Sequence, residues 1–256
     1  MPEKFEENAK IIKQEELAEG IYSLWLQTEQ IASYAKAGQF VSVYCNDGSR
    51  LLPRPISICE INNEEKTLRL VYRVAGEGTA EFSTMKEGET LRVLGPLGNG
   101  FPLGEKSAFL IGGGIGIPPM LQLAKELNCE KQIVVGYRND ELFLAEELKQ
   151  YGEVVIATED GSVGTKGNVL DAIRENGLKA DVIYACGPTP MLRALKQYAQ
   201  ENNIECWISM EERMACGIGA CLACVCKTKE KDHHTNVNNK RICKEGPVFR
   251  AEEVEI

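Results

Sequence analysis

The stretch AFLIGGGIGIPPMLQLAKEL (108–127) decides the architecture. An apolar run of strand length ends in clustered glycines, and two prolines then open a segment of helical length and pattern. Proline suits a first helical turn, where its missing N–H has no partner to lose. Glycines let the chain turn tightly as it leaves a strand. The same rhythm continues in QIVVGYR (132–138), ELFLAEELKQY (141–151), EVVIAT (153–158), GNVLDAIRENG (167–177), DVIYACGP (181–188) and MLRALKQYAQENN (191–203). Apolar runs alternating with helix-length segments predict parallel strands joined by crossover helices, a Rossmann-like α/β domain over residues 103–207.

Upstream the rhythm is different. IYSLWLQ (21–27), QFVSVYC (39–45), RPISICEI (54–61), TLRLVYRV (67–74) and ETLRVLGPLG (89–98) are short runs punctuated by glycine and proline, several alternating apolar with polar. They predict a small antiparallel β-barrel over residues 1–102. Downstream, residues 208–256 carry a dense cysteine block and the hydrophilic stretch KTKEKDHHTNVNNKR, and form a third, small subdomain. The expected fold is multi-domain, β plus α/β.

Composition narrows the function. A formal net charge of -9 argues against a nucleic-acid partner, which leaves a basic footprint. No uncharged apolar run reaches the ~18 residues of a membrane span, and the charged start MPEKFEENAKIIKQEEL lacks the pattern of a secretory signal, so a cytoplasmic location is expected. In that reducing setting ten cysteines point to packed thiols, metal ligands or catalysis rather than disulfides.

Spacing separates those possibilities. MACGIGACLACVCK sets Cys216, Cys221 and Cys224 in a C-x4-C-x2-C array, with Cys243 after a further loop. This is the plant-type ferredoxin spacing for a [2Fe-2S] cluster. Structural zinc is the rival, although it usually shows two paired knuckles. A Rieske centre would need His233 and His234, which stand side by side in a polar loop and read as solvated. Cys226 is either a spare ligand or a packed thiol, and Cys45, Cys59, Cys129 and Cys206 read as packed.

Two further turns carry nucleotide signals. In GGGIGIPPM, Gly112, Gly113, Gly114 and Gly116 would let a dinucleotide pyrophosphate approach the backbone at a helix N-terminus, or form a tight turn without a ligand. CGPTPM, with Cys186, Gly187 and Pro188, is another strand-to-helix turn at the carboxyl edge of the sheet, where open α/β folds bind ligands. Glu159 and Asp160 follow the third strand, where carboxylates suit a free ribose 2'-hydroxyl and favour NAD over NADP, or else lie in a solvated loop. In the barrel, Arg54 and Ser57 of RPIS and Arg73 with the Gly-rich turn ending at Thr79 offer cations, a hydroxyl and a phosphate cradle, or simply strand entries.

The order of these parts, RPIS, then GGGIGIPP, then CGPTPM, then the cysteine block, resembles the ferredoxin-NADP reductase superfamily over nearly the whole chain. Within it, EERMACGIGACLACVCK followed by RICKEGPVF is similar to the electron-transfer subunits of class 1B dihydroorotate dehydrogenases. The resemblance implies FAD in the barrel, NAD on the α/β domain and a [2Fe-2S] cluster facing an FMN-containing catalytic subunit, in a heterotetramer with two of each chain. It carries FAD binding onto Arg54, Pro55, Ile56, Ser57, Val71, Tyr72, Arg73, Gly78 and Thr79, and cluster ligation onto Cys216, Cys221, Cys224 and Cys243. Ile56 stands where the wider superfamily often has an aromatic that stacks on the flavin, which leaves either a contact from elsewhere, with Tyr72 the candidate, or a weaker stack. Cys186 and Glu211 are candidates for lining the meeting point of nicotinamide and flavin, against packing and capping roles. Another oxidoreductase subunit of the superfamily, such as a ferredoxin-NADP or sulfide dehydrogenase subunit, is the nearer rival, and a non-catalytic regulatory protein the more distant one.

Overall fold

The computed structural model describes residues 3–231 and 236–256, so His233 and His234 lie outside the described residues. Six strands close into an antiparallel barrel: β1 (Phe5–Ala18), β2 (Ile21–Gln27), β3 (Phe40–Val43), β4 (Arg54–Asn62), β5 (Thr67–Arg73) and β6 (Thr90–Leu97), in the order β1-β2-β5-β4-β3-β6. Alternate residues point inward, so Leu24, Leu26, Val41, Val43, Ile58, Leu68, Leu70, Leu91 and Val93 form a dry core. Each such side chain contributes on the order of 2 kcal/mol. β1 was not foreseen. Its sequence FEENAKIIKQEELA is mostly polar because few of its residues, Ala9 and Ile11 among them, turn fully inward.

β4 and β5 do not stay paired. Their ladder runs from Asn62–Thr67 to Ile58–Leu70. Beyond it Arg54–Ser57 pair with β3, while Val71–Arg73 pair with β2. The barrel wall therefore opens at one end between the RPIS strand and residues 71–73, leaving backbone donors and acceptors on that side of β5 facing the gap. Two short helices flank the barrel strands, α1 (Ile31–Tyr34) and α2 (Glu77–Thr84), and α2 begins inside the stretch expected to be a Gly-rich turn.

The second sheet has seven strands: β7 (Ala108–Gly113), β8 (Lys131–Tyr137), β9 (Glu153–Thr158), β10 (Thr165–Lys166), β11 (Val182–Cys186), β12 (Glu205–Ser209) and β15 (Val248–Arg250), in the order β10-β9-β8-β7-β11-β12-β15. All neighbours are parallel except β12 with β15. From β7 the chain winds outward through β8 and β9, then returns to place β11 on the other side of β7. The order therefore reverses between β7 and β11, and ligands bind at such a switch point in open α/β sheets.

Helices α3 (Pro118–Glu126), α4 (Ala145–Leu148), α5 (Val169–Glu175) and α6 (Thr189–Asn202) make the crossovers. α4 is much shorter than the helix expected over 141–151, because Leu144 adopts a left-handed conformation (φ 65) that holds Leu142 and Phe143 in a preceding turn. α5 starts on a capping box in which the Asn168 carboxamide accepts from Leu170 and Asp171 N–H groups.

The cysteine segment leaves β12, forms the hairpin β13 (Val225–Lys227) and β14 (Asn239–Arg241) and helix α7 (Ile242–Glu245), then returns as β15 to the same sheet. It is an excursion between two neighbouring strands. The division expected at residue 207 falls inside β12.

Barrel and sheet meet through apolar packing, Cys59 and Val71 against Ile117 and Met120, with a buried polar cluster beside it. Arg69 on β5, 4 % exposed, donates to Ser23 Oγ at 2.9 Å and to both carboxylate oxygens of Glu147 on α4, and lies 5.5 Å from the Trp25 ring centre. Glu60 on β4 pairs with Lys125 of α3 at 2.6 Å, and Gln122 of the same helix accepts the Ile61 N–H at 2.8 Å. Glu147 is 40% exposed and Glu60 keeps Lys125, so losing Arg69 strands little charge and mainly removes packing and the hydrogen bond to Ser23. Arg69→Ala is expected to destabilise the protein by about 2 kcal/mol, read as a lower urea midpoint, whereas Lys13→Ala, which removes an exposed pair with Glu15, changes it by less than about 1 kcal/mol.

Candidate functional site

The opening in the barrel wall gathers several of the expected residues. Arg54 starts β4, and its guanidinium donates to the Leu52 carbonyl and covers the first turn of α2. A Cβ on Gly78 would overlap that guanidinium, with Nη2 2.6 Å away. At the same turn Thr79 Oγ1 accepts from the N–H groups of Ala75 (2.9 Å) and Gly76 (3.2 Å). A cation held against the positive end of a helix is unfavourable alone, and an anion placed between them reverses the sign. Arg54, Gly78 and Thr79 thus make a cradle with phosphate chemistry. Pro55 and Ser57 face outward on β4 beside it, and Arg73 is exposed at the end of β5.

Ile56 and Tyr72 turn the other way. Ile56 is buried in the barrel core, and Tyr72 is 3 % exposed there. The Tyr72 ring stacks on Tyr22 (6.0 Å), meets Phe82 edge-on (6.1 Å), and donates its hydroxyl to Gln14 Oε1 at 3.1 Å. Stacked on Tyr22 and 3 % exposed inside the barrel, Tyr72 offers no ring to a flavin, which corrects the expectation from sequence. What residues 71–73 present to the opening is backbone.

At the switch point two glycine turns pack on each other. A Cβ on Gly116 would collide with the carbonyl of Cys186, one on Gly113 would lie 2.6 Å from Met191 Sδ, and one on Gly112 would lie 2.8 Å from Ile117 Cα. A Cβ on Gly187 would lie 2.5 Å from Met191 Cε, while Pro188 is exposed. These glycines are required by packing of protein on protein. Gly114 differs: it is left-handed (φ 52) and nothing lies within 4 Å of its Cβ position, so it is the point of the turn with room for a ligand. Glu159 and Asp160 sit at the end of β9, one strand removed from β7. Asp160 is engaged in its own turn by the Ser162 hydroxyl (2.7 Å) and N–H (2.9 Å), which hold its carboxyl below the usual range. Glu159 is exposed.

Cys186 ends β11 opposite Ser209 on β12, and Glu211 follows two residues later, exposed. Burial pushes the Cys186 thiol up to about 12, against a lowering hydrogen bond to Ser209. It is a neutral thiol at ordinary pH and no proton carrier there.

The four expected ligands come as two pairs. Cys216 lies beside Cys221 near the surface, and Cys224 beside Cys243 in the interior, where they are 2 % and 1 % exposed. Backbone N–H groups point at the sulfurs, Ala220 N to Cys216 Sγ at 3.3 Å and Cys243 N to Cys224 Sγ at 3.4 Å. Gly217 (φ 67), Gly219 (φ 86) and Leu222 (φ 59) supply the left-handed turns that aim them. Arg241 pins the loop by donating to the Gly219 carbonyl at 2.7 Å while paired with Glu245. A two-iron cluster takes two protein thiolates per iron, whereas one tetrahedral zinc asks for a single point of convergence. Among the described residues no three His, Cys, Asp or Glu side chains form such a group. The arrangement fits [2Fe-2S]. Cys226 packs instead, its thiol donating to the Lys240 carbonyl at 3.5 Å.

Known proteins share these parts. The model of the iron-sulfur cluster binding domain of dihydroorotate dehydrogenase B matches residues 211–255, and that of the oxidoreductase NAD-binding domain matches residues 110–197. The dihydroorotate dehydrogenase B (NAD(+)) electron transfer subunit of Listeria monocytogenes is 47% identical, covering 96% of this chain and 98% of that protein. Its counterpart in Fusobacterium nucleatum is 42% identical over 98% of both. Among solved structures, that of an NADH-dependent reduced ferredoxin-NADP oxidoreductase superposes with a TM-score of 0.88 at 30% identity, covering 97% of this chain and 90% of that one.

Two outcomes follow from the geometry. Gly78→Ala should leave folding intact, since alanine is the better helix former, yet displace Arg54, so that FAD is held at least about tenfold more weakly, read by equilibrium dialysis. Cys186 and Cys206, both pushed by burial from 9.0 up to about 12, keep their protons in the folded state while the unfolded chain loses them. Their contribution is complete below pH 9.0 and declines above it. The thermal midpoint should therefore fall as pH rises from 9.0 toward 12, less steeply in Cys206→Ala.

Proposed function

The chain belongs to the family of dihydroorotate dehydrogenase B electron transfer subunits, and from that premise we propose that it passes electrons from an FMN-bearing catalytic partner through a [2Fe-2S] cluster and FAD to NAD+, in pyrimidine (UMP) synthesis. The observation that carries this reading is the meeting of three sites: the paired thiols, the opening in the barrel and the switch point of the sheet. The cluster loop lies directly on barrel strand β3, where Gly217 closes on Ser42. β3 is the neighbour of the RPIS strand β4.

Each site's residues have a physical task. Arg54, Gly78 and Thr79 bind the FAD phosphates, and the strands at the opening hold the ring system, Arg54–Ser57 on one side and the backbone of Val71–Arg73 on the other. A flavin bound there exchanges one electron or two, so it belongs between a one-electron centre and nicotinamide, which takes only hydride. Gly114 receives the dinucleotide at the switch point, and Glu159 faces the ribose as a carboxylate that suits NAD better than NADP. Cys186, a half-buried neutral thiol, lines the floor where nicotinamide and flavin meet. Glu211 borders the same place.

Cys216, Cys221, Cys224 and Cys243 hold the cluster. Its outer pair opens to the surface beside Ile218 (44% exposed) and Leu222 (60% exposed), an apolar rim suited to a docking partner. The partner is the FMN-containing dihydroorotate dehydrogenase catalytic subunit, assembled with this chain as a heterotetramer with two copies of each. No helix among the described residues is long and apolar enough to cross a membrane, and the reading includes a cytoplasmic location. The wider alternative, a subunit of another NAD(P)H-linked oxidoreductase, rests on the ferredoxin-NADP oxidoreductase likeness at 30% identity, below the 42% to 47% of the dihydroorotate dehydrogenase relatives.

Co-expressed with its partner, the complex should reduce NAD+ when given dihydroorotate, and this chain alone should not. In Cys221→Ser the cluster's paramagnetic signal should vanish and coupling to the partner fall at least about a hundredfold, about 2.7 kcal/mol. NADH-dependent dye reduction through FAD should persist. Retrieval of a different dehydrogenase with the tagged chain would overturn the substrate assignment.

A further inference from the structure

β3 alternates like its neighbours. Val41 and Val43 enter the barrel core, so Phe40 and Ser42 point outward. Phe40 lies in the same apolar cluster as Cys224 and Cys243. Ser42 therefore faces the cysteine segment from the barrel side. It is 1 % exposed, and its hydroxyl is buried with no hydrogen-bond partner among the described residues. Buried hydroxyls are normally satisfied, so one without a partner asks for an explanation. The wall opposite is Gly217, the residue after Cys216, so close that a Cβ there would lie 2.8 Å from Ser42 Oγ and 3.3 Å from Leu97 Cδ1. Across the strands Ser42 stands opposite Pro55 of RPIS and Leu94 of β6. An unused donor thus lies between the flavin-binding strand and a cluster ligand, sealed from water.

We propose that the Ser42 hydroxyl donates a hydrogen bond to the sulfur on the Cys216 side of the cluster and sets its reduction potential. The inference rests on the reading that the four thiolates hold [2Fe-2S]. A reduced cluster carries one more negative charge than an oxidised one, so a donor at its sulfur favours the reduced form and raises the potential. Ala220 N–H already serves Cys216 from the loop side, and Ser42 serves it from the barrel. The barrel that binds FAD thereby also tunes the carrier that exchanges electrons with it.

The test is a redox titration of the full chain carrying FAD and cluster, followed by electron paramagnetic resonance, for the unsubstituted protein, Ser42→Ala and Ser42→Cys. With iron and sulfide content unchanged, Ser42→Ala should reduce the ratio of reduced to oxidised cluster about tenfold at a fixed ambient potential, a fall of about 59 mV for one electron. Ser42→Cys, a weaker donor, should fall between, and the FAD potential should not move. In the cluster-free protein Ser42→Ala should be no less stable than the unsubstituted chain, because the hydroxyl has no partner there. An unmoved cluster potential at full cluster content overturns the proposal. So does a shift confined to FAD, which would assign the hydroxyl to the flavin, and so does a loss of stability in cluster-free Ser42→Ala. Failure of the unsubstituted chain to take up iron and sulfide in equal amounts would instead overturn the cluster reading beneath it.

Discussion

Everything in this molecule depends on holding barrel and sheet at one fixed separation across the apolar packing they share, where Cys59 and Val71 meet Ile117 and Met120, and Arg69 is the buried charge that fixes its register. Its guanidinium, paired with Glu147 and bedded on Ser23 and Trp25, is buried where barrel and sheet meet. Transfer between a flavin and nicotinamide tolerates little slack, since a misplacement of about 1 Å can cost on the order of a hundredfold. The apolar seam alone buries area with little preference for register. A bidentate ion pair with a second pair, Glu60–Lys125, beside it fixes both distance and angle.

The C-terminal segment depends on that frame as well. It touches the barrel at Gly217 and at Asn99, whose N–H reaches the Gly246 carbonyl at 2.6 Å, and it rejoins the sheet through β15. The four thiols are thus suspended between the domains that Arg69 holds together. Their unequal burial follows: the Cys224–Cys243 pair faces the shared interior and the Cys216–Cys221 pair faces out.

Much of this was legible because it is local. The Gly-Pro turn at 112–119, the apolar alternation in four barrel strands and the C-x4-C-x2-C spacing are each dictated by a few consecutive residues, and local steric rules decide them. What escaped was set by distant partners. β1 hides behind outward-facing charges, and β15 is three residues long and exists through its pairing with β12. Tyr72 carries the right ring in the right motif, yet strand alternation turns it inward onto Tyr22 and Phe82. Ser42 belongs to no motif at all, and its interest comes from Gly217, far away in sequence.

The placement of β15 also imposes an order of assembly. Strands β1 to β6 pair only among themselves, so the barrel can close as soon as residue 97 has been synthesised. The sheet cannot be completed until the chain has passed through all four ligand cysteines and reached residue 250. A polypeptide made from its N-terminus therefore carries all four ligand cysteines before its sheet is finished, and the loop that holds them is framed on both sides only when β15 takes its place beside β12.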